Sequence, residues 1–195
     1  MTSKGHVIGG LALASVVCNV AARPPLVDLP VICDMVVPIL VMPPFALVAL
    51  ALFVFGTLLP DCDIESSAIG RWFSIPAEHR TWTHSIWAPI LLVGIFYVWQ
   101  KWVWSLWLVF GYVVHLILDS WSVMGICWLY PYPGYREYAS GARVKRSRAH
   151  RFFKWYHAGT QEETLVVGAL VIVAVVVNYA VCMQWGDLVA LWSAT

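Results

Sequence analysis

Five long apolar stretches, separated by shorter polar segments, dominate the chain. They cover about residues 6–22, 35–59, 85–99, 102–118 and 164–182. A helix needs roughly 20 apolar residues to cross a bilayer, so stretches of this length favour membrane spans. Pro24 and Pro25 end the first stretch, because proline cannot continue a helix. Pro43 and Pro44 lie inside the second and predict a kink there.

Two segments near the N-terminus need separate interpretation. Residues 26–44 are apolar but include Asp28, Asp34 and four prolines. We interpret their first part as a surface or re-entrant segment, and the part from about Met35 as the start of span two. Residues 1–22 are similar to a signal peptide, and we expect them to be retained as the first helix.

Composition supports a protein built for a nonpolar solvent. Only 12% of the residues are charged and 61% are hydrophobic, whereas soluble domains carry about 25% charged residues. The sequence therefore predicts an all-α fold, a polytopic membrane helical bundle with about five transmembrane helices. The five cysteines form no CxxC pair and mostly lie in apolar runs, which indicates reduced thiols rather than a disulfide framework.

The cationic residues are distributed unevenly between the two predicted membrane faces. One face holds ten of them: Lys4, Arg71, Arg80, Arg136, Arg143, Lys145, Arg146, Arg148, Arg151 and Lys154. The opposite face holds only Arg23 and Lys101. Because cytoplasmic loops carry an excess of Lys and Arg, we expect the basic face to be cytoplasmic in a multi-pass inner-membrane protein.

Polar residues at the ends of the spans suggest a shared site. Consecutive spans alternate in direction, so the start of one and the end of the next lie at the same membrane face. Seven residues are thereby expected at one depth: His6 in span one, Asp61 and Asp63 after span two, His79 and His84 before span three, and His115 and Asp119 ending span four. His115 and Asp119 are four apart and share a helix face. In "PDCD" an extended turn would point both carboxylates the same way.

Imidazole and carboxylate ligands together fit zinc, manganese or iron better than magnesium or calcium. Seven ligands exceed one tetrahedral site, which favours a pair of divalent ions, zinc or manganese above all, with activated water between them. Each residue also has a simpler interpretation. His6, His79 and His84 could be interfacial, Asp61 and Asp63 could cap a helix, and His115 with Asp119 could join two helices.

Other polar residues near this face could contact a substrate. Arg80 is suited to bind a phosphate group through paired hydrogen bonds, with the hydroxyls of Thr83 and Ser85 beside it. Its alternative role is that of one more cytoplasmic positive charge. Glu163 could act as a general base, or could simply favour the start of span five through the helix dipole.

The basic segment "ARVKRSRAHRFFKWYH" favours anionic lipid headgroups over nucleic acid as its partner. It could also serve topology alone, or recruit a soluble protein. We divide the single predicted domain, residues 1–195, into a metal-site core (1–133), a basic cytoplasmic loop (134–163) and a C-terminal transmembrane helix with a tail (164–195).

Several motifs together resemble one known family. These are a histidine in a Gly-rich N-terminal helix, "PDCD", "HRTWTHS" and "HLILDSWSVMG", in this order and spacing. They resemble the YdjM-type family, described as LexA-binding, inner-membrane-associated, metal-dependent hydrolases. The resemblance covers about residues 1–133, with a loose match around "GTQEE" beyond. It implies that the seven histidines and aspartates are metal-site residues and that Arg80 is a further site residue.

We therefore expect a membrane-embedded, metal-dependent hydrolase. Its substrate would be a phosphate ester or pyrophosphate of a lipid or lipid-linked molecule, either a phospholipid or a polyprenyl phosphate. Asp63, Arg80 and Glu163 are the catalytic candidates, and Arg80, Thr83 and Ser85 the substrate-binding ones. The rival interpretations are a membrane metal-binding or transport protein and a partner-recruiting protein. Transporters bind their ions near the bilayer midplane, so ligands at one edge count against transport.

Overall fold

The computed structural model describes residues 1–21, 43–75, 79–99, 102–131 and 155–193. The segment predicted to be re-entrant, the turn at Gln100 and Lys101, and most of the basic loop lie outside the described residues. The fold and the candidate site lie within the described residues.

The described residues form five α-helices and no strand, which confirms the all-α prediction for this part of the chain. The helices are α1 (Ser3–Ala21), α2 (Pro43–Leu58), α3 (Trp87–Val98), α4 (Trp102–Ser120) and α5 (Gln161–Ser193). A 3-10 helix, Leu59–Asp63, continues directly from α2.

The helix boundaries differ from the sequence prediction in three places. Helix α2 begins at Pro43, so the two prolines that predicted a kink lie in its first turn, where a missing N–H costs no hydrogen bond. The "PDCD" segment is a 3-10 helix and not an extended turn. Helix α5 continues through the predicted tail as one helix of 33 residues.

Helices α2 and α4 pack closely because each presents a glycine to the other's backbone. A Cβ atom at Gly56 would collide with the carbonyl oxygen of Leu108, and one at Gly111 would collide with that of Phe53. Small residues allow such close approach, which favours helix association within membranes. This pair forms the centre of the bundle, and α3 packs on the other side of α4.

Helix α1 packs against α5 through a small polar network as well as apolar contacts. The Asn19 Nδ2 atom donates to Asn178 Oδ1 at 2.9 Å, and Asn178 Nδ2 donates to Ser15 Oγ at 3.0 Å. Hydrogen bonds between helices replace water as partners for these amides. The network therefore fixes how α1 and α5 lie along one another.

Residues that follow α4 are tied to the segment that precedes α5. Ser122 and Tyr156 form an isolated parallel bridge, and the Tyr156 hydroxyl donates to the Leu118 carbonyl at 2.6 Å. Tyr156 is fully buried. These bonds hold the start of α5 beside the end of α4, so the start of α1, the end of α2 and the start of α3 share one end of the bundle with them.

One helix among the described residues is long and apolar enough to cross a membrane, namely Gln161–Ala180 in α5. Only 17% of its most apolar window is buried, whereas the core helix of a soluble protein would be mostly buried. Trp87–Val98 and Ser105–Ser120 are shorter apolar helices. Helix α5 is thus a candidate membrane span, and the other four predicted spans stay predictions.

Candidate metal centre

The ends of four helices bring their histidines and aspartates into one buried cluster, as the alternating span directions predict. The side chains of His6, His84 and His115 are fully buried, and that of Asp119 is nearly so. Three of these residues come from different helices or helix boundaries. Because buried charges need charged partners or metal ions, this convergence explains how so many ionisable groups can be buried in an apolar chain.

His115 is oriented by the end of α2. Its Nδ1 atom donates to the backbone carbonyl oxygen of Thr57 at 2.8 Å, which assigns the proton to Nδ1. The Nε2 atom then carries a lone pair and can accept a hydrogen bond from His84. It lies 3.3 Å from His84 Nε2 and 3.6 Å from Asp61 Oδ1. Metal-binding histidines commonly donate their other ring N–H to a carbonyl in this way.

His6 stacks on His115, with ring centroids 3.7 Å apart. Its Nε2 atom lies 3.3 Å from Asp119 Oδ1, but the two groups are not aligned for a hydrogen bond. Within the described part of the chain, neither ring nitrogen of His6 has a hydrogen-bond partner. A buried imidazole with two unsatisfied nitrogens is costly, and a coordinated ion would satisfy one of them.

His84 lies between two carboxylates at the entry to α3. Its Nε2 atom is 3.5 Å from Asp61 Oδ1, and its Nδ1 atom is 3.6 Å from Asp63 Oδ2. Burial alone lowers the pKa of His84, but interactions with Asp61 and Asp63 outweigh burial and raise the pKa above its usual value. The site thus favours positive charge at this position, as expected where carboxylates outnumber cations.

Asp61 stays ionised although it is mostly buried. Burial raises its pKa, but hydrogen bonding to His84 lowers it more, and the resulting pKa is about 2. A carboxylate held in its charged form is ready to coordinate a cation without losing a proton first.

Asp63 supports its neighbours rather than facing the centre of the cluster. Its Oδ1 atom lies 3.0 Å from His79 Nδ1, and its Oδ2 atom accepts from Thr83 Oγ1 at 2.6 Å. Burial raises the pKa of Asp63, but the hydrogen bonds from His79, His84 and Thr83 lower it well below its usual range. Asp63 thereby orients His79, whose exposed side chain forms the outer edge of the cluster.

Arg80 joins three parts of the site through a buried guanidinium group. Its Nη2 atom lies 3.3 Å from Asp119 Oδ2, its Nη1 atom donates to the Gly125 carbonyl at 2.7 Å, and its Nε atom donates to His79 Nε2 at 3.4 Å. Asp119 also accepts from the Met1 nitrogen at 2.6 Å. The guanidinium therefore holds Asp119 and His79 in place.

Three overlapping groups among the described residues have ligand atoms close enough to hold a metal ion, all within 4.8 Å of one another. They are His6, Asp61 and His115; Asp61, His79 and His84; and His84, His115 and Asp119. Asp61 belongs to two groups, as a carboxylate shared between neighbouring ions would. The donor set, the unsatisfied nitrogens of His6 and the lone pair that His115 turns toward the cluster all fit a divalent metal. Six of the seven predicted ligands belong to these groups. The seventh, Asp63, contacts two of the six, His79 and His84.

The remaining predicted site residues lie at different distances from this centre. Thr83 is connected to the centre by the hydrogen bond that its hydroxyl donates to Asp63. The Ser85 hydroxyl donates to the Trp82 carbonyl at 2.8 Å and so serves the turn that begins α3. Glu163 accepts from Thr2 Oγ1 at 2.6 Å and from the Gly159 N–H at 2.7 Å. Glu163 thus joins the start of α5 to the start of α1, and its predicted catalytic role stays a prediction.

A family model described as YdjM inner membrane protein matches residues 1–186. The chain belongs to the YdjM family. The match extends well past residue 133, where the motif-based resemblance ended. An uncharacterized protein, YvsG of Bacillus subtilis (strain 168), is 34% identical over 140 residues, which are 67% of this chain and 74% of YvsG. No solved structure matches the chain.

Some residues that build the centre of this YdjM-family protein were missed by the sequence analysis. The Thr57 carbonyl fixes His115, and a backbone oxygen leaves no signal in the sequence. The Tyr112 hydroxyl donates to the Thr83 carbonyl, although Tyr112 reads as an ordinary core residue of α4. Ser122 and Gly125 hold Arg80 and lie in the quoted "HLILDSWSVMG" motif, so position in the motif was the available signal.

Proposed function

We propose that this YdjM-family protein is a membrane-embedded, metal-dependent hydrolase that cleaves a phosphate ester or pyrophosphate of a lipid or lipid-linked substrate. One observation carries the proposal. The lone pair of His115 Nε2 faces His84 and Asp61 inside a buried cluster, at 3.3 and 3.6 Å. Three buried imidazoles and two carboxylates converge there, more ionisable groups than a plain helix-joining pair needs.

Six candidate ligands exceed one tetrahedral site, which favours two neighbouring ions, and Asp61, a member of two of the groups, would serve either of them. His6, His115 and Asp119 would serve the inner position, and His79 and His84 the outer one. Imidazole with carboxylate is a donor set that suits zinc or manganese. Bound divalent ions in such a site supply an activated water near neutral pH and positive charge for phosphoryl oxygens.

Asp63 orients His79 at the outer edge of the site. Asp63 Oδ1 lies 3.0 Å from His79 Nδ1, and His79 is the exposed member of the cluster. A carboxylate that holds the N–H of a histidine fixes its tautomer and ring orientation. Asp63 would therefore hold His79 as a ligand and is also our proposed proton acceptor, and a substrate would approach from this side.

Arg80 has a supporting role in this mechanism. Its donors already lie against Asp119, Gly125 and His79. A phosphate group would have to replace one of those partners to bind it directly. We therefore assign to Arg80 first the positioning of Asp119 and His79, and second the charge that balances a phosphoryl group nearby.

The position of the centre in the bundle favours a lipid substrate over transport. All contributing side chains come from helix ends at one end of the bundle, and a family of inner membrane proteins includes this chain. The phosphate of a lipid lies at this depth while its tails remain in the membrane. Transport sites lie near the midplane instead.

Metal content and lipid turnover test the proposal together. The purified full chain in lipid nanodiscs is analysed for bound metal, for phosphate release from phosphatidic acid and a polyprenyl phosphate, and for glycerol phosphate release from phosphatidylglycerol, with and without chelator. We expect chelator-sensitive turnover of one of them. His115→Ala should lower metal affinity by more than the roughly 10–100-fold that loss of an outer partner costs.

The matched control is His157→Ala, because His157 is an exposed histidine that contacts Glu162 and none of the centre. It should keep both metal and turnover. Bound metal without turnover of any of the three lipids would contradict hydrolysis and favour a non-catalytic metal protein. Equal metal content in both variants would contradict the metal centre itself.

A further inference from the structure

An apolar groove runs along the outside of the bundle next to the metal centre. Its volume is about 730 Å³, and its walls come from the 3-10 helix, the start of α3 and the middle of α4. The wall residues include Leu59, Ile75, Trp87, Leu91 and Tyr112. Small-molecule sites typically have volumes of roughly 300–1,000 Å³ and mostly apolar walls, so this groove is large enough for a ligand.

One end of the groove lies beside the metal centre. Thr83 forms part of its wall, and the Thr83 hydroxyl donates to Asp63 at 2.6 Å. Cys62, another wall residue, stands between Asp61 and Asp63 in the chain. A ligand in the groove would therefore have one end next to Thr83 and the metal centre behind it, and an apolar remainder along α3.

The other side of the groove is open toward an apolar surface. Ile90 and Leu91 of α3 are wall residues, yet 53% and 64% of their surfaces are exposed. The same helix also exposes Val93, Ile95 and Val98. An apolar helix exposed in this way is suited to contact lipid chains, so a chain could enter the groove sideways from the bilayer.

We propose that the groove binds one acyl chain of a phospholipid whose phosphate group lies at the metal centre. The inference rests on the proposed function for the position of the phosphate, and adds to it how the substrate is selected. A methylene group takes up about as much space as a water molecule, roughly 30 Å³, so the groove accommodates on the order of twenty methylene groups. That volume matches one acyl chain.

Photocrosslinking tests this proposal without relying on turnover. The full chain is placed in phosphatidylcholine nanodiscs with phosphatidic acid that carries a diazirine in one acyl chain, and the crosslinked residues are identified by mass spectrometry. We expect crosslinks on groove residues that excess unlabelled phosphatidic acid removes and excess phosphatidylcholine does not. Random contact with bulk lipid would show no such difference.

Two variants narrow the groove from its exposed side, where added bulk leaves the core intact. Leu91→Trp and Ile90→Trp should each weaken the competed crosslink about tenfold, the loss expected when roughly two methylene groups are displaced. Val98→Trp is the matched control, because Val98 is exposed on the same helix and is not a wall residue of the groove. It should leave the crosslink unchanged.

The outcomes separate this proposal from the proposed function. Competed crosslinks that both groove variants weaken, without any metal-dependent phosphate release, would support the acyl-chain site and contradict hydrolysis. Metal-dependent release with crosslinks that neither variant weakens would overturn the acyl-chain site and leave hydrolysis standing. Competition by a polyprenyl phosphate but not by phosphatidic acid would also overturn it.

Discussion

Arg80 shows how much one residue contributes to this site. Its backbone has a φ of 66°, in the left-handed region that non-glycine residues rarely adopt. Such a conformation costs about 1–2 kcal/mol, so the surrounding contacts must compensate. The guanidinium provides them by contacting Asp119, which ends α4, and the Gly125 carbonyl, which follows it. Arg80 thus links the entry of α3 to the end of α4.

Removing this link should destabilise the fold. Arg80→Ala leaves the Met1 nitrogen as the remaining buried partner of Asp119, so the loss should lie toward the lower end of the roughly 3–5 kcal/mol that breaking a buried ion pair costs. Thermal unfolding in nanodiscs measures the change. Lys4→Ala is the control, since Lys4 is exposed and surface substitutions usually change stability by about 0.5 kcal/mol or less. Equal unfolding temperatures for the two variants would show that the Arg80 contacts add nothing.

Thr83 gives a second prediction at the residue scale. Its hydroxyl donates to Asp63, which in turn orients His79. Thr83→Val keeps the shape but removes the donor, so metal affinity should fall by roughly 10–100-fold, as for other partners of ligands. Thr83→Ser keeps the donor and should retain affinity. Titration with a metal indicator compares the two, and equal losses would mean that packing, not the hydrogen bond, matters here.

At the scale of elements, the close contact of α2 with α4 sets the position of His115 relative to the end of α2. Gly111 lies against the backbone of Phe53, one turn before His115 contacts the Thr57 carbonyl. A shift of these helices would break the hydrogen bond that fixes the His115 tautomer. Helix packing and ligand orientation are therefore coupled in this protein.

Glycine substitutions measure that coupling. Gly111→Ala should destabilise the protein by about 1–3 kcal/mol, because the added methyl group forces backbones apart. Gly94→Ala is the matched control: no atom lies within 4 Å of a Cβ added there, and alanine favours a helix by about 1 kcal/mol. Denaturation curves should move in opposite directions. A shift in the same direction would contradict close packing of α2 on α4.

At the scale of the whole molecule, the cluster and the basic residues are expected on the same membrane face. Ten cationic residues against two predict that this face is cytoplasmic. With five spans, the C-terminus would then lie on the opposite side. The family description gives the inner membrane, and orientation remains a prediction.

Reporter fusions test the orientation. Alkaline phosphatase folds only outside the cytoplasm and green fluorescent protein is exported poorly, so the pair distinguishes the two sides. We expect fluorescence from an insertion after residue 140 and phosphatase activity from a fusion after residue 195. The reverse result would place the metal centre outside. Fluorescence at both positions would mean an even number of spans between residue 140 and the end of the chain.

The sequence by itself determined which elements exist and which residue types lie at their ends. Apolar stretches bounded by polar residues predict α1, α3 and α4 to within a few residues, because burial in a nonpolar environment leaves a strong signal of length and composition. The alternation of span direction was enough to bring His6, Asp61 and His115 to the same end of the bundle.

The tertiary structure decided which atoms face each other. Whether Asp63 holds His79, whether His115 donates to a backbone carbonyl and whether Arg80 contacts Asp119 all depend on distances between residues far apart in the chain. Sequence pattern places a side chain on a helix end but does not give its rotamer or its partner. Those depend on how closely α2 and α4 pack, and that is a property of the folded molecule.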